Sequence, residues 1–332
     1  MIDVTDSLST RSTRLRVDPS AEAFTNRSPE SIEGSTAVFP RRNPFLGVTA
    51  TELDGRLAML PTARVFAVTS GKGGVGKTNT VANLAAALAR RQKKVLLMDA
   101  DLGLANLDLF LGVKPRYTLA DFFAGHMSLA EIIVSTPLGV SLLPGGSGIQ
   151  EVTALTDAQK IAFITELDAL THDIDVVLVD TGSGISDTVT YFTTAAQEII
   201  VVVTPDPSSM TDAYALLKVL ASKHHEKRFW VLANTVEGEL GARRLYDTLS
   251  RTALRFLNIS LDFLGWVPWD QELRRAASNG QIVSSNSATS PSAQAFATIA
   301  SRLLQQAANE SRVKGNMQFF FRRVLGPRRE TS

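Results

Sequence analysis

The stretch Gly71-Lys72-Gly73-Gly74-Val75-Gly76-Lys77-Thr78 constrains this chain more than any other. It follows a short apolar run, Val65 to Thr69, and precedes Val81, Leu84, Ala85 and Leu88 at i, i+3, i+4, i+7, the spacing of one helix face. The pattern G-x-x-x-x-G-K-[ST] between a strand and a helix is a phosphate-binding loop. Its glycines let backbone N–H groups turn inward around an anion, and the helix start adds its positive end. Lys77 is expected on the β- and γ-phosphates of ATP and the Thr78 hydroxyl on Mg²⁺, with Asn79 completing the binding stretch. Lys72 has little apolar surface to cover inside a glycine turn. Its expected use is electrostatic, offsetting charge that builds on the phosphates during transfer.

Further apolar runs suit buried strands: Val95 to Met98, Val140 to Leu143, Val176 to Val179, Ile199 to Val203, Trp230 to Ala233 and Phe263 to Val267. Helical segments separate most of them, for example Asp157 to Leu170 and Thr211 to Leu220. Apolar strands alternating with amphipathic helices predict an α/β fold, a single doubly wound and mostly parallel sheet covered on both faces. With 44% hydrophobic residues, the core is large enough. The expected ATPase domain spans residues 63–309 and ends in a helix from Pro291 to Asn309. Before it, residues 1–62 are rich in Ser, Thr, Pro and Arg and predict a mostly disordered arm, with a short helix at Leu53 to Leu60 as an alternative to a linker. After it, a polar hinge at Ser311 to Asn316 leads to a second helix within 310–332.

Acids at strand ends complete the expected site. The run ending at Met98 continues as Asp99-Ala100-Asp101, and the run ending at Val179 continues as Asp180. C-terminal ends of parallel strands are where open α/β sheets bind ligands. Asp180 is the expected holder of the Mg²⁺ shell. Asp99 and Asp101 are read as addressing opposite sides of the strand end, one the metal and one the attacking water. The four histidines, His126, His172, His224 and His225, are scattered and suggest solvated surface. There is no cysteine, which excludes disulfides, thiolate zinc sites and cysteine-ligated iron–sulfur clusters. Thirty-four basic against 33 acidic residues do not suggest a polyanion binder. No secretory signal or bilayer-length apolar run is visible, so a cytoplasmic location is expected.

Several segments together resemble the MinD/ParA (SIMIBI) ATPases, and within them the FlhG (FleN) group of flagellar-number regulators. They are Ser70 to Thr78, Asp99 to Asp108, Lys114 to Asp121, Ser147 to Gln150, Gly184 to Asp187, Thr211 to Leu216 and Ser290 to Phe296. The resemblance implies that Lys72 reaches across an ATP-bound homodimer to the partner's nucleotide and that Asp101 positions the hydrolytic water. Thr78, Asp99 and Asp180 would serve the metal, while Asn234 and Val267-Pro268 would border the adenine. It implies a slow ATPase switch at the inner face of the cytoplasmic membrane. Partners would be an FlhF-like GTPase, flagellar C-ring components and, in some lineages, a flagellar transcription activator. No sequence-specific DNA binding is expected. Relatives carry a DQAxxLR-like GTPase-stimulating segment, to which Glu52 to Leu60 is only loosely similar; direct stimulation is left open. A MinD-type division-site ATPase and a ParA-type DNA-partition ATPase are the alternatives. Independently of the resemblance, Met317, Phe320, Phe321, Val324 and Leu325 share one helix face, with Arg322 and Arg323 off it and Arg328 and Arg329 beyond. That is the makeup of an interfacial anchor for anionic lipid, with a helix packed on its own domain as the alternative.

Overall fold

A computed structural model describes residues 63–101, 105–146 and 173–307, with isolated positions between 156 and 170. The helix at Leu53 to Leu60, the hinge at 311–316, the apolar face Met317 to Leu325 and the segment Ser147 to Gln150 lie outside the described residues, as does most of Asp157 to Leu170.

Eight described strands form one sheet: β1 (Arg64–Ser70), β2 (Val95–Ala100), β3 (Val134–Ser135), β4 (Val140–Leu143), β5 (Val176–Ser183), β6 (Glu198–Val203), β7 (Arg228–Val236) and β8 (Ser260–Pro268). Their order is β3-β4-β2-β5-β1-β6-β7-β8. Every pairing is parallel except the short edge pair of β3 with β4. From β1 the chain first builds outward to β2 and later, from β6, outward on the other side. The crevice at the C-terminal end of β1 is therefore a ligand position by topology.

Ten described helices cover this sheet. On one face lie α1 (Lys77–Ala89) and, at the end of the described residues, α10 (Pro291–Ala307). Strand alternation sends Phe66, Val68, Leu97, Leu178 and Ile200 to this side, where they meet Leu84, Leu88, Phe296 and Ile299. Residues Thr80 to Leu88 are buried all round, because α1 is enclosed between sheet and α10. Beside α1 on this face lies the short α2 (Leu107–Leu111), whose Leu107 and Leu111 join the same cluster, whereas α3 (Leu119–Phe123) and α4 (Leu129–Ile132) lie on the other face. Phe122 and Leu129 from this group, with Phe192 of α5 (Asp187–Ala195), cover Val65, Ala67, Leu96 and Val179. Farther along this face, α6 (Pro207–His224) and α7 (Glu239–Leu257) cover β6, β7 and β8. Two small helices, α8 (Gln271–Ser278) and α9 (Val283–Asn286), lead into α10.

Polar contacts tie α10 to the site-bearing elements. Arg91, just beyond α1, donates to Ser301 Oγ at 2.6 Å and to Ala297 O at 2.6 Å. Asp270, the N-cap of α8, accepts from Ser292 N at 3.1 Å and also from the Ser292 hydroxyl. Phe296 is 2% exposed between these anchors. Phe296→Ala is expected to lower the unfolding free energy by about 3–5 kcal/mol, read by urea denaturation. A change below about 1 kcal/mol would mean that α10 is not part of the core.

Candidate nucleotide site

The loop after β1 depends on two close approaches. At Gly71 an added Cβ would stand 2.1 Å from Asp212 O on α6, so no side chain fits between loop and helix. At Gly76, the N-cap of α1, φ is 83° and a Cβ would stand 2.6 Å from Asn234 Nδ2. Gly73 and Gly74 complete the turn, and Val75 is buried. Ser70 Oγ donates to Lys72 O at 2.9 Å and Gly184 N to Ser70 O at 2.9 Å, fixing where the loop leaves the sheet.

Lys77 opens α1, and its Nζ donates to Asp180 Oδ1 at 2.7 Å. The two side chains are 6% and 1% exposed, so this is a buried ion pair. The Thr78 side chain also acts on the Asp180 carboxylate, favouring its ionised form. In the sheet register Asp180 lies opposite Asp99. Asp99 Oδ1 accepts from Asp101 N at 3.2 Å, and Oδ2 from the amides of Asn106 and Leu107, both at 3.1 Å. Burial, and secondarily the charge of Asp180, outweigh these amides and push the Asp99 carboxyl up to about 7. Burial raises Asp180 as well, against the lowering effect of Lys77.

Two residues apart on a strand share a face, so alternation does not send Asp99 and Asp101 to opposite sides. They diverge for another reason: β2 stops at Ala100. Asp99 stays under the turn that leads to α2, while Asp101 Oδ1 lies 3.6 Å from the Cβ position of Gly182 on β5.

Lys72 is drawn away from this cluster. Its Nζ donates to Asp206 Oδ1 at 3.1 Å and Ser208 Oγ at 2.6 Å, with about 40% of each charged side chain exposed. Asp206 is the N-cap of α6 and accepts from Ser209 N at 2.9 Å. The Ser208 and Thr204 hydroxyls and the Ser209 amide hold its carboxyl well below the usual range. Neither Asp206 nor Ser208 was among the residues expected at the site. Their local signal, an acid before Pro207 at a strand's end, marks a helix start but says nothing of Lys72, 134 residues earlier.

Asn234 reaches the loop from β7, where Nδ2 donates to Val75 O at 2.8 Å. Its Oδ1 is buried without a hydrogen-bond partner. The next residue, Thr235, has φ 58°, where the β7–β8 register slips between Ala233 and Val236. A β-branched residue there carries backbone strain, and this kink sets where Asn234 points. Pro268 ends β8 opposite Val236. Asn79 is engaged within α1, where its Oδ1 and main-chain oxygen both accept from Asn83 Nδ2, at 2.6 and 2.8 Å.

These residues fit a nucleotide and its divalent cation. Lys77 is a buried ammonium paired with a carboxylate, beside loop amides and a helix start that favour phosphate. Asp99 and Asp180 are adjacent acids whose mutual repulsion a cation relieves. The orphaned Asn234 Oδ1 suits an amino donor such as that of adenine.

Residues 66–283 match the family model described as the CobQ/CobB/MinD/ParA nucleotide binding domain. The chain belongs to the MinD/ParA nucleotide-binding family. It is 38% identical over 270 residues to the antiactivator FleN of Pseudomonas aeruginosa, covering 81% of this chain and 96% of that one. It is 35% identical to the flagellum site-determining protein YlxH of Helicobacter pylori, covering 79% and 90%. Among solved structures it resembles a septum site-determining protein MinD of Pyrococcus horikoshii in complex with Mg-ADP, with TM-score 0.62, 27% identity and coverage of 74% and 98%. The FlhG (FleN) group named from the sequence is thus the group to which its curated relatives point.

With Lys77 replaced by methionine, Asp180 is left buried without its counter-charge. Breaking such a pair costs about 3–5 kcal/mol where the acid stays ionised. Because burial raises both acids, the folded variant binds protons that the unfolded chain releases, so stability falls as pH rises. Lys77→Met without nucleotide is expected to lose more stability at pH 8 than at pH 5, read by denaturant titration. Equal stability to the parent at pH 8 would contradict the role of the pair.

Proposed function

We propose that this chain is a slow Mg²⁺-dependent ATPase that switches between monomer and ATP-bound homodimer, binds the inner face of the cytoplasmic membrane peripherally, and sets flagellar number or placement. The observation that carries the reading is the division of labour between two lysines of one loop. Lys77 is buried on Asp180, whereas Lys72 leans outward to Asp206 and stays about 40% exposed.

In this reading the loop amides from Gly71 to Thr78 cradle the phosphates, and Lys77 leaves Asp180 for the β- and γ-phosphates. Thr78, Asp99 and Asp180 hold Mg²⁺, which supplies charge stabilisation on the phosphate oxygens. Asp101, just past the end of β2, orients the attacking water. Lys72 quits Asp206 and reaches the nucleotide of a second copy, adding positive charge where the transition state gains negative charge. Asn234 and Pro268 border the base. Three exposed apolar side chains follow C-terminal ends of strands on this side: Leu109 at 61%, Ile185 at 52% and Trp269 at 53%. A second copy docked over the site would cover such surface.

The flagellar role rests on the names of the relatives, an antiactivator and a flagellum site-determining protein. The FlhF-like GTPase, the C-ring components and the transcription activator are proposed as partners on the same ground. Membrane attachment rests on the sequence pattern of Met317 to Leu325. One such segment binds weakly, and two in a dimer bind far more tightly.

Asp101→Ala is expected to bind ATP normally and to lose phosphate release by about a hundredfold or more. Hydrolysis at the parent rate would remove Asp101 from the water's path. Deleting residues 317–332 is expected to abolish ATP-dependent sedimentation with anionic liposomes at unchanged ATP affinity. If lipid binding persists, the anchor lies elsewhere.

A further inference from the structure

Six large apolar side chains are exposed among the described residues, and three of them, Leu240 at 76%, Leu254 at 63% and Phe256 at 65%, lie on α7. The proposed dimer does not account for them. This helix descends along the flank of the sheet from the end of β7 to the start of β8. Its sheet-facing side is filled by Ala242, Leu245, Leu249 and Ala253. At about 100° per residue, Leu240, Arg244, Asp247, Arg251 and Leu254 fall within about 80° on the opposite side. The two leucines stand about 21 Å apart along the axis, at about 1.5 Å per residue.

The charge of this stripe is one-sided. The helix carries Arg243, Arg244, Arg251 and Arg255 against Glu239 and Asp247. Arg243 pairs with Glu239 at 3.5 Å and lies over the Phe263 ring. Among the described residues, Arg244, Arg251 and Arg255 make no ion pair with any carboxylate; Arg251 Nε donates to the main-chain oxygen of Asp247, and Arg255 lies over Phe256. Three arginines without ion pairs thus sit between and beside two exposed leucines.

We infer that the outer stripe of α7 docks an acidic amphipathic helix of another protein, whose apolar side chains meet Leu240 and Leu254 and whose carboxylates meet Arg244, Arg251 and Arg255. Helices are read in this way through apolar anchors at helical spacing, and arginine is a frequent anchor of interfaces. Nucleic acid fits less well, because a phosphate-binding surface gains nothing from exposed leucines. A lipid surface also fits less well: insertion needs a continuous apolar face, and here charged residues, Asp247 among them, interrupt it. The chain's own segment Met317 to Leu325 contains Arg322 and Arg323, is followed by Arg328 and Arg329, and so has the same sign as the stripe.

The test is fluorescence anisotropy of the full-length chain with a labelled synthetic amphipathic peptide, a leucine seam flanked by glutamates. The expected result is salt-sensitive binding that Arg244→Glu with Arg251→Glu weakens by about tenfold or more. Leu240→Ser with Leu254→Ser is also expected to weaken it, while ATP binding stays unchanged in both variants. The same peptide with lysines for glutamates is expected to prefer the charge-reversed variant. Absent binding, or binding indifferent to all four substitutions, would overturn the proposal. So would variants that bind the peptide as the parent does but lose anionic vesicles or change oligomeric state, because the occupant would then be lipid or a second copy.

Discussion

With both side chains more than nine-tenths buried, the Lys77–Asp180 ion pair joins the start of α1 to the end of β5 at the centre of the sheet. Its position follows from everything around it. The parallel pairing of β1 with β5 brings the loop and the acid to the same end. Gly71 lets the loop press against α6, and Asn234 holds Val75 from the other side. Charge buried this deeply persists only when compensated, and phosphate for the lysine and a divalent cation for the acid are the natural substitutes. The site is therefore held ready by an interaction that nucleotide would exchange rather than create.

The same loop carries Lys72, whose surroundings differ in kind. Asp206 is fixed by its cap contacts and by the hydroxyls of Thr204 and Ser208, so it presents an ordered anion to an exposed ammonium. An exposed pair of this sort contributes little to stability. It gives Lys72 a resting place that is easily left, in contrast to the buried position of Lys77. Elements remote from the loop are tied in through α10, which contacts Arg91 beyond α1 and Asp270 beyond β8.

Much of this was legible in the sequence where a residue's environment is set by its near neighbours. All seven expected apolar runs lie within strands, and Lys77, Thr78, Asp99 and Asp180 converge at one end of the sheet. What depended on distant contacts was not. Lys72 meets Asp206 across 134 residues. The kink at Thr235 that aims Asn234 arises where β7 and β8 fall out of register, and no residue type announces it. The two-residue edge strand β3 is too short to carry a period. Helix α7 went unmarked because Leu240 and Leu254 face outward and blur the pattern set by Leu245 and Leu249. The divergence of Asp99 and Asp101 likewise needed the end of β2 at Ala100 to be known.

The central claim is that two copies complete each other's sites. Mixing two inactive variants tests it most directly: Lys72→Ala, which lacks the reaching lysine, and Asp101→Ala, which lacks the water-orienting acid. A mixed dimer contains one site with Asp101 from the first chain and Lys72 from the second. Phosphate release, absent from each variant alone, is expected to return in part on mixing. No recovery, with mixed dimers demonstrated by cross-linking, would contradict the claim.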